Sequence, residues 1–295
     1  MPWTRLISGA IAIAVATGMI VGGGWFFTLG FCAIVVLGEI EFFRLARAKG
    51  INPAAKTTLA LSIGMLLVTT IFPPLADAMF PLAGTGICFY LLFQPKPATI
   101  ADISTSLLGL FYGGYLPCYW VRLRVGLDGG YGAGYMAREM GELSGGLPAD
   151  WSDLGTFSAG LTVTLLAFSC IWAADIGAYA MGKLFGRTKL SIVSPKKTVE
   201  GAVFGILGSM TMAVFWARSL DWPLWWLSGL LLGTTIGITS LLGDLTESTI
   251  KRDAGVKDSG QLIPGHGGIL DRTDSYVFTA PIVYYCVTLL LPLLA

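Results

Sequence analysis

Gly243-Asp244-Leu245-Thr246-Glu247-Ser248-Thr249-Ile250-Lys251-Arg252 ends an apolar stretch near 223–243 with an abrupt block of charge. Lys257-Asp258 follows, then Pro264-Gly265-His266-Gly267-Gly268-Ile269-Leu270-Asp271-Arg272-Thr273-Asp274, and then another apolar stretch near 276–294. Residues 244–274 hold six acids (Asp244, Glu247, Asp253, Asp258, Asp271, Asp274) and four bases (Lys251, Arg252, Lys257, Arg272). The whole 295-residue chain has only 18 acidic and 19 basic side chains. Charge this dense between apolar stretches costs free energy unless something compensates it. A metal ion and a phosphate-rich ligand are the natural compensators.

Outward from this block, the chain is built for lipid. It is 54% hydrophobic and 13% charged, with a mean hydropathy of +0.72, whereas soluble domains carry about 25% charged residues. A bilayer core takes about 20 apolar residues per helix. By that measure, spans are predicted near 6–23, 24–43, 57–74, 77–94, 101–121, 155–178, 199–217, 223–243 and 276–294. The expected fold is an all-α polytopic membrane bundle of about nine transmembrane helices. The first apolar run is followed almost at once by a second, so it reads as a retained span rather than a cleaved leader. Residues 1–150 are expected to form the N-terminal transmembrane helices. Residues 151–295 are expected to form a catalytic bundle with cytoplasmic loops 182–198 and 244–274, the whole being one structural unit.

Orientation follows the bases in short loops. Arg44, Arg47, Lys49 and Lys56 follow span two, and Lys183, Arg187, Lys189, Lys196 and Lys197 follow span six. The N-terminus and the 44–56, 182–198 and 244–274 loops are therefore assigned to the cytoplasmic side, and the C-terminus to the other. One loop runs against this: 122–154 places Arg122, Arg124 and Arg138 on the outer side, although it also holds five acids. A net charge of +1 says nothing about a nucleic-acid partner, and with no basic stripe carrying interleaved aromatics none is expected. The five cysteines stand singly in apolar stretches, which fits packing rather than metal or disulfide chemistry.

Asp244, Glu247, Ser248 and Lys251 stand at i, i+3, i+4 and i+7, one face of a continuing helix. Asp271 and Asp274 are three apart and offer a second half of a site. Oxygen ligands of this kind select Mg²⁺ over Zn²⁺. On an ordinary surface loop these acids would simply pair with the nearby bases. Pro264-Gly265-His266-Gly267-Gly268 lets backbone approach a ligand closely and turns N–H groups toward anionic oxygens. Asp175 lies near the end of span six with Tyr179 one turn on. The basic loop beyond, with Gly186-Arg187 and Ser194-Pro195-Lys196-Lys197-Thr198 ahead of Glu200-Gly201, reads as a phosphate clamp formed by a shaped turn at a helix start. Plain positive-inside charge would account for its bases equally well. Glu39 and Glu41 are two apart and point in different directions on a helix, and neither is given a catalytic role; nor is Asp102.

Ser248-Thr249-Ile250-Lys251-Arg252, Lys257-Asp258-Ser259-Gly260 and Leu262 through Asp274 together closely resemble the signature of the phosphatidate cytidylyltransferases (CDP-diacylglycerol synthases). The likeness extends back through Gly243–Glu247, Ser194–Gly201 and Asp175–Tyr179, and more loosely to Glu41-Phe42-Phe43. It covers about the C-terminal 40% of the chain closely. Two positions depart from the family: Val199 stands where an aromatic is usual, and Thr246 where a bulkier residue is common.

The resemblance implies that CTP and phosphatidic acid give CDP-diacylglycerol and pyrophosphate, with one or two Mg²⁺ ions and room for a monovalent ion. Asp244 and Asp271, with Asp274 or Asp175, are the expected metal ligands. Lys251, Arg252 and Arg272 join Asp244 and Asp271 as catalytic residues. Lys196, Lys197, Ser194, Lys257, Asp258, His266, Gly267, Gly268 and Tyr179 are expected to bind substrate. The implied setting is the cytoplasmic face of the inner membrane, among membrane lipids, with a homodimer compatible. Two alternatives stand beside it: a CTP-dependent transferase acting on another phosphorylated lipid, and a transporter of a phosphorylated solute.

Overall fold

The computed structural model describes residues 2–127, 148, 150, 153, 156–263 and 267–294. The described residues form nine helical rods, and two isolated bridges, Lys189–Thr198 and Ile263–Gly267, are the only strand-like pairings among them. The rods are α1 (Pro2–Gly22), α2 (Gly24–Ala48), α3 (Ala55–Ile71), α4 (Leu75–Leu92), a fifth rod from Ile100 to Gly126, α7 (Ala159–Phe185), α8 (Val199–Ser219), α9 (Trp225–Asp253) and a ninth from Leu270 to Leu293. The fifth rod is α5 (Ile100–Gly109) and α6 (Leu116–Val121), with wide π-type turns at Leu110–Tyr115 and Arg122–Gly126. Pro117 has no N–H for the carbonyl one turn back, and the first wide turn lies just before it. The ninth rod is α10 (Leu270–Val277), α11 (Thr279–Tyr285) and α12 (Leu291–Leu293), with its last wide turn at Cys286–Leu290. Pro281 cannot bond the Val277 carbonyl, and the helix breaks there.

Six of these helices are long and apolar enough to cross a bilayer: Gly24–Ala48, Leu75–Leu92, Ala159–Phe185, Val199–Ser219, Trp225–Asp253 and Leu270–Leu293. Ser8–Gly22 and Ala55–Ile71 are shorter apolar helices. The protein is thus an all-helical integral membrane protein. Large apolar side chains such as Leu82, Phe89 and Phe215 remain exposed along the rods, as a lipid-facing surface requires. None of the five cysteines is paired, and Cys118 and Cys170 are buried as small apolar groups.

Contacts divide the chain into two compact units. The first is Met1–Gly126 with Ile250–Thr273, and the second is Leu127–Thr249 with Asp274–Ala295. Residues 250–273 therefore group with the N-terminal helices, although in sequence they sit in the 151–295 part.

In the first unit, consecutive rods pack side by side around Met65, Leu66, Ile87 and Leu110, all fully buried. Polar ties hold their ends. Thr99 and Asp102 form a reciprocal cap at the start of α5, and Asp102 also accepts from the Asn52 N–H at 2.6 Å. Ser106 Oγ accepts from the Ala54 N–H at 2.9 Å. Arg124 donates to the carbonyls of Ile20 (2.5 Å) and Val21 (3.2 Å), which closes the C-terminal end of α1. Arg122 pairs with Asp77 at 2.8 Å and lies over the Tyr119 ring. Both arginines are buried in helix-end contacts and are not free loop charges. Arg138 lies outside the described residues.

In the second unit, α8 packs closely on α7 along small residues. A side chain at Gly205 would meet the Ala174 carbonyl at 2.8 Å, and one at Gly208 the Ala173 carbonyl at 2.8 Å. On its other face α8 meets Gly229, Gly233 and Gly237 of α9, where Val214, Met210 and Ile206 leave no room for a Cβ. Close backbone approach of this kind is how helices gain contact in lipid. Trp216 donates to Ser169 at 2.9 Å and Trp172 to Tyr276 at 2.7 Å, so these two half-buried indole N–H groups are satisfied.

Candidate active site

In the second unit the helical run through Gly243 reaches the start of the ninth rod. A Cβ at Gly243 would collide with the Asp274 carbonyl, so glycine lets the two backbones touch there. That contact brings Asp244, Glu247 and Asp274 together, with one carboxylate oxygen of each within 4.8 Å of the others. Glu247 is fully buried and Asp274 nearly so. Three carboxylates this close repel one another unless a cation lies among them. Lys197 supplies one positive charge, with its Nζ 2.5 Å from Asp244 Oδ2. Ser248 Oγ donates to Asp244 at 3.3 Å. An all-oxygen donor set of three acids suits a hard divalent cation. Asp175, on α7, accepts weakly from Ser240 Oγ at 3.5 Å and lies outside the three-acid group.

Lys197 is delivered by a small hairpin. The Lys189–Thr198 bridge, the Leu190 N–H on the Lys197 carbonyl (2.9 Å) and the Lys197 N–H on the Ser194 carbonyl (3.0 Å) close the turn Ser194-Pro195-Lys196-Lys197. Thr198 then caps α8 by accepting from the Gly201 N–H at 3.1 Å. Glu200, in the first turn, reaches back to accept from the N–H groups of Arg187 and Thr188 at 3.1 Å. Lys196 is exposed at the tip, and Tyr179 stands exposed on α7.

The first unit holds the glycine-rich loop. Lys251, almost fully buried, pairs with Asp271 Oδ1 at 2.5 Å. The other oxygen of Asp271 accepts from the Gly268 N–H (2.8 Å) and the Ser259 N–H (3.0 Å), with the Ser259 hydroxyl oxygen 3.0 Å away. Gly267 has φ +88° and a side chain there would meet Asp271, so this position needs glycine on both counts. Arg252 donates to the Val256 carbonyl at 2.7 Å and so closes the helix end. Lys257, Asp258 and Arg272 are exposed. His266 lies outside the described residues, with Pro264 and Gly265.

Of the residues singled out from sequence, the structure joins Asp244, Asp274 and Lys197 in one unit and Lys251, Asp271 and Gly268 in the other. The sequence places Asp271 and Asp244 on one ion; in the structure Asp244 belongs to the second unit and Asp271 to the first. Two residues were passed over. Glu247 lay on the face already drawn through Asp244, and its spacing of three was the signal for including it. Glu41 was set aside because alternation on a helix could not show what it meets more than 200 residues away.

The molecule is therefore an integral membrane protein that carries a cluster of three carboxylates, a basic hairpin and a Lys251–Asp271 ion pair bonded to Gly268 and Ser259, groups suited to handling phosphate. Residues 3–290 match the family model described as the cytidylyltransferase family. The chain is 62% identical over its full length to a Synechocystis sp. protein named phosphatidate cytidylyltransferase, covering 99% of it. It is 41% identical to phosphatidate cytidylyltransferase 5, chloroplastic, of Arabidopsis thaliana over 92% of this chain and 68% of that one. A Bacillus subtilis phosphatidate cytidylyltransferase is 29% identical over 97% of both chains. The chain belongs to the cytidylyltransferase family, and it is an enzyme of the nucleotidyltransferase class.

Proposed function

We propose that this enzyme transfers the cytidylyl group of CTP to phosphatidic acid, giving CDP-diacylglycerol and pyrophosphate for phospholipid synthesis. A phosphate oxygen of the lipid bonds to the α-phosphorus of CTP, and the bond from that phosphorus to the β-phosphate bridge oxygen breaks. The lipid phosphate is already anionic near neutral pH, so the task is positioning and neutralisation of charge rather than proton abstraction. The observation that carries this reading is the three-carboxylate group of Asp244, Glu247 and Asp274 beside Lys197, in a chain of this family. These acids would hold Mg²⁺, which when bound supplies Lewis-acid neutralisation of phosphate charge. Asp175 lies on α7 as a further oxygen donor. Lys196 and Lys197 on the hairpin would bind nucleotide phosphates, and the shaped turn holds them at the start of α8. Lys251, set by Asp271, would act with Arg252 and Arg272 on the developing pyrophosphate charge. Lys257, Asp258 and the glycine loop would order or touch the nucleotide.

We further propose nine membrane crossings, with the N-terminus, the 44–56, 182–198 and 244–274 loops and the active site on the cytoplasmic side of the inner membrane. Contacts in the first unit support this alternation of sides, because each joins loops or helix ends assigned to the same side, while the placement of bases decides which side is cytoplasmic. Lys49 pairs with Asp253 at 3.1 Å, Arg122 with Asp77, and Arg124 with the end of α1. Residues 1–150 then act as the membrane anchor for catalytic elements carried mainly on 151–295.

The test is a radiolabelled-CTP assay in detergent, with phosphatidic acid, an ether-linked analogue or a polyprenyl phosphate as acceptor, with and without Mg²⁺. Label should enter lipid with phosphatidic acid and Mg²⁺ present, and pyrophosphate should be released in equal amount. Transfer to polyprenyl phosphate alone would move the enzyme to another lipid.

A further inference from the structure

Glu41 lies near the end of α2 and is 5% exposed. It is engaged entirely by a segment that follows it by more than 200 residues, inside the first unit. Ser259 Oγ donates to Glu41 Oε2 at 2.7 Å, the Leu270 N–H to the same oxygen at 3.0 Å, and the Ile269 N–H to Oε1 at 3.1 Å. The backbone N–H groups that open α10 have no partner inside their own helix. A carboxylate from a distant helix satisfies them, in the position that favours negative charge. Ser259 is shared: its hydroxyl lies within 3.0 Å of Asp271 Oδ2 as well, and its N–H bonds the same oxygen. Two buried carboxylates thus grip one serine, and the second of them holds Lys251. The fit is tight, since a Cβ at either Gly260 or Gly268 would run into the Glu41 carboxylate.

We infer that Glu41 is a positioning residue for the transfer reaction: by clamping Ser259, Ile269 and Leu270 it fixes the start of α10 beside Gly268, and through Ser259 and Asp271 it sets the Lys251 ammonium. The inference rests on the reading that Asp271 and Lys251 serve the nucleotide. Glu39 makes a matched contrast. It is on the same helix and equally buried, but it bonds Ser62 Oγ at 2.5 Å and touches none of these groups.

The experiment measures kcat and both KM values in detergent for Glu41→Gln, Glu41→Asp, Ser259→Ala, Glu39→Gln and Asp271→Asn, with thermal midpoints alongside. Glu41→Gln keeps the side-chain size but sets an amide against backbone N–H donors. It should raise the KM for CTP or lower kcat by about 10-fold, with the KM for phosphatidic acid unchanged. Glu41→Asp should restore part of the loss, and Ser259→Ala should shift the same parameters less. Glu39→Gln should match the parent. If Glu41→Gln does not fold, the Ser259→Ala parameters decide. Parent-like kinetics in Glu41→Gln, an equal effect in Glu39→Gln, or equal shifts in both KM values would overturn the inference. An active Asp271→Asn with parent CTP affinity would instead remove the reading of the loop on which it rests.

Discussion

Glu247 shows how a single side chain changes the chemistry available at a helix end. Asp244 alone, paired with Lys197, is an ordinary ion pair at a membrane boundary. With Glu247 fully buried beside it and Asp274 arriving from the next rod, the same position becomes a three-carboxylate cluster of the kind that would hold a divalent cation in the proposed reaction. Replacing Glu247 with Gln removes one charge without changing shape. The Mg²⁺ concentration for half-maximal activity is expected to rise about 10-fold, read from a Mg²⁺ titration of turnover. An unchanged titration curve would take Glu247 out of the metal group. Asp271→Asn leaves Lys251 without its anionic partner, and Asp244→Asn removes both the Lys197 partner and a cradle oxygen. Each is expected to lower kcat by about 100-fold or more while the protein stays folded in detergent. Near-parent activity in both at saturating Mg²⁺ would sink the assignment.

At the level of helices, the second unit depends on glycine. Gly229, Gly233 and Gly237 recur every fourth residue on α9, and each faces a residue of α8 with no space for a Cβ. Gly233→Val forces the two helices apart and is expected to cost about 1–3 kcal/mol. A thermal melt in detergent would show it as a lowered midpoint, and an unchanged midpoint would mean that α8 and α9 do not pack this way. The hairpin before α8 is held by a different device. Thr198→Ala removes the cap on the Gly201 N–H and is expected to cost about 1 kcal/mol. Limited proteolysis should then cut residues 186–198 faster, and parent-like resistance would show that Glu200 alone holds the turn.

For the whole molecule, orientation is the property that brings a charged nucleotide and a two-tailed lipid to one enzyme. With the native cysteines replaced, reporters at Lys49→Cys and Lys189→Cys should react with an impermeant maleimide only from the cytoplasmic side, and one at Asp221→Cys only from the other. The inverse pattern would reverse the proposed topology. The helices themselves were legible in the linear chain, because a bilayer imposes its length and apolarity on each span locally and lipid leaves no alternative for unpaired backbone. The charged residues from 244 to 274 were legible for the same reason, as every charge among apolar spans carries a cost. Partnership was not legible. Arg122 and Arg124 read as loop charges and proved to be buried closures of helix ends, Glu41 read as a bystander, and Glu247 read as one member of a helix face without its partner Asp274. Their meaning depends on contacts between segments distant in the chain, made possible where glycines such as Gly243 and Gly268 let backbone or carboxylate come within touching distance. Hydropathy and spacing record what each segment needs from its solvent, while only the packed molecule records which segments meet.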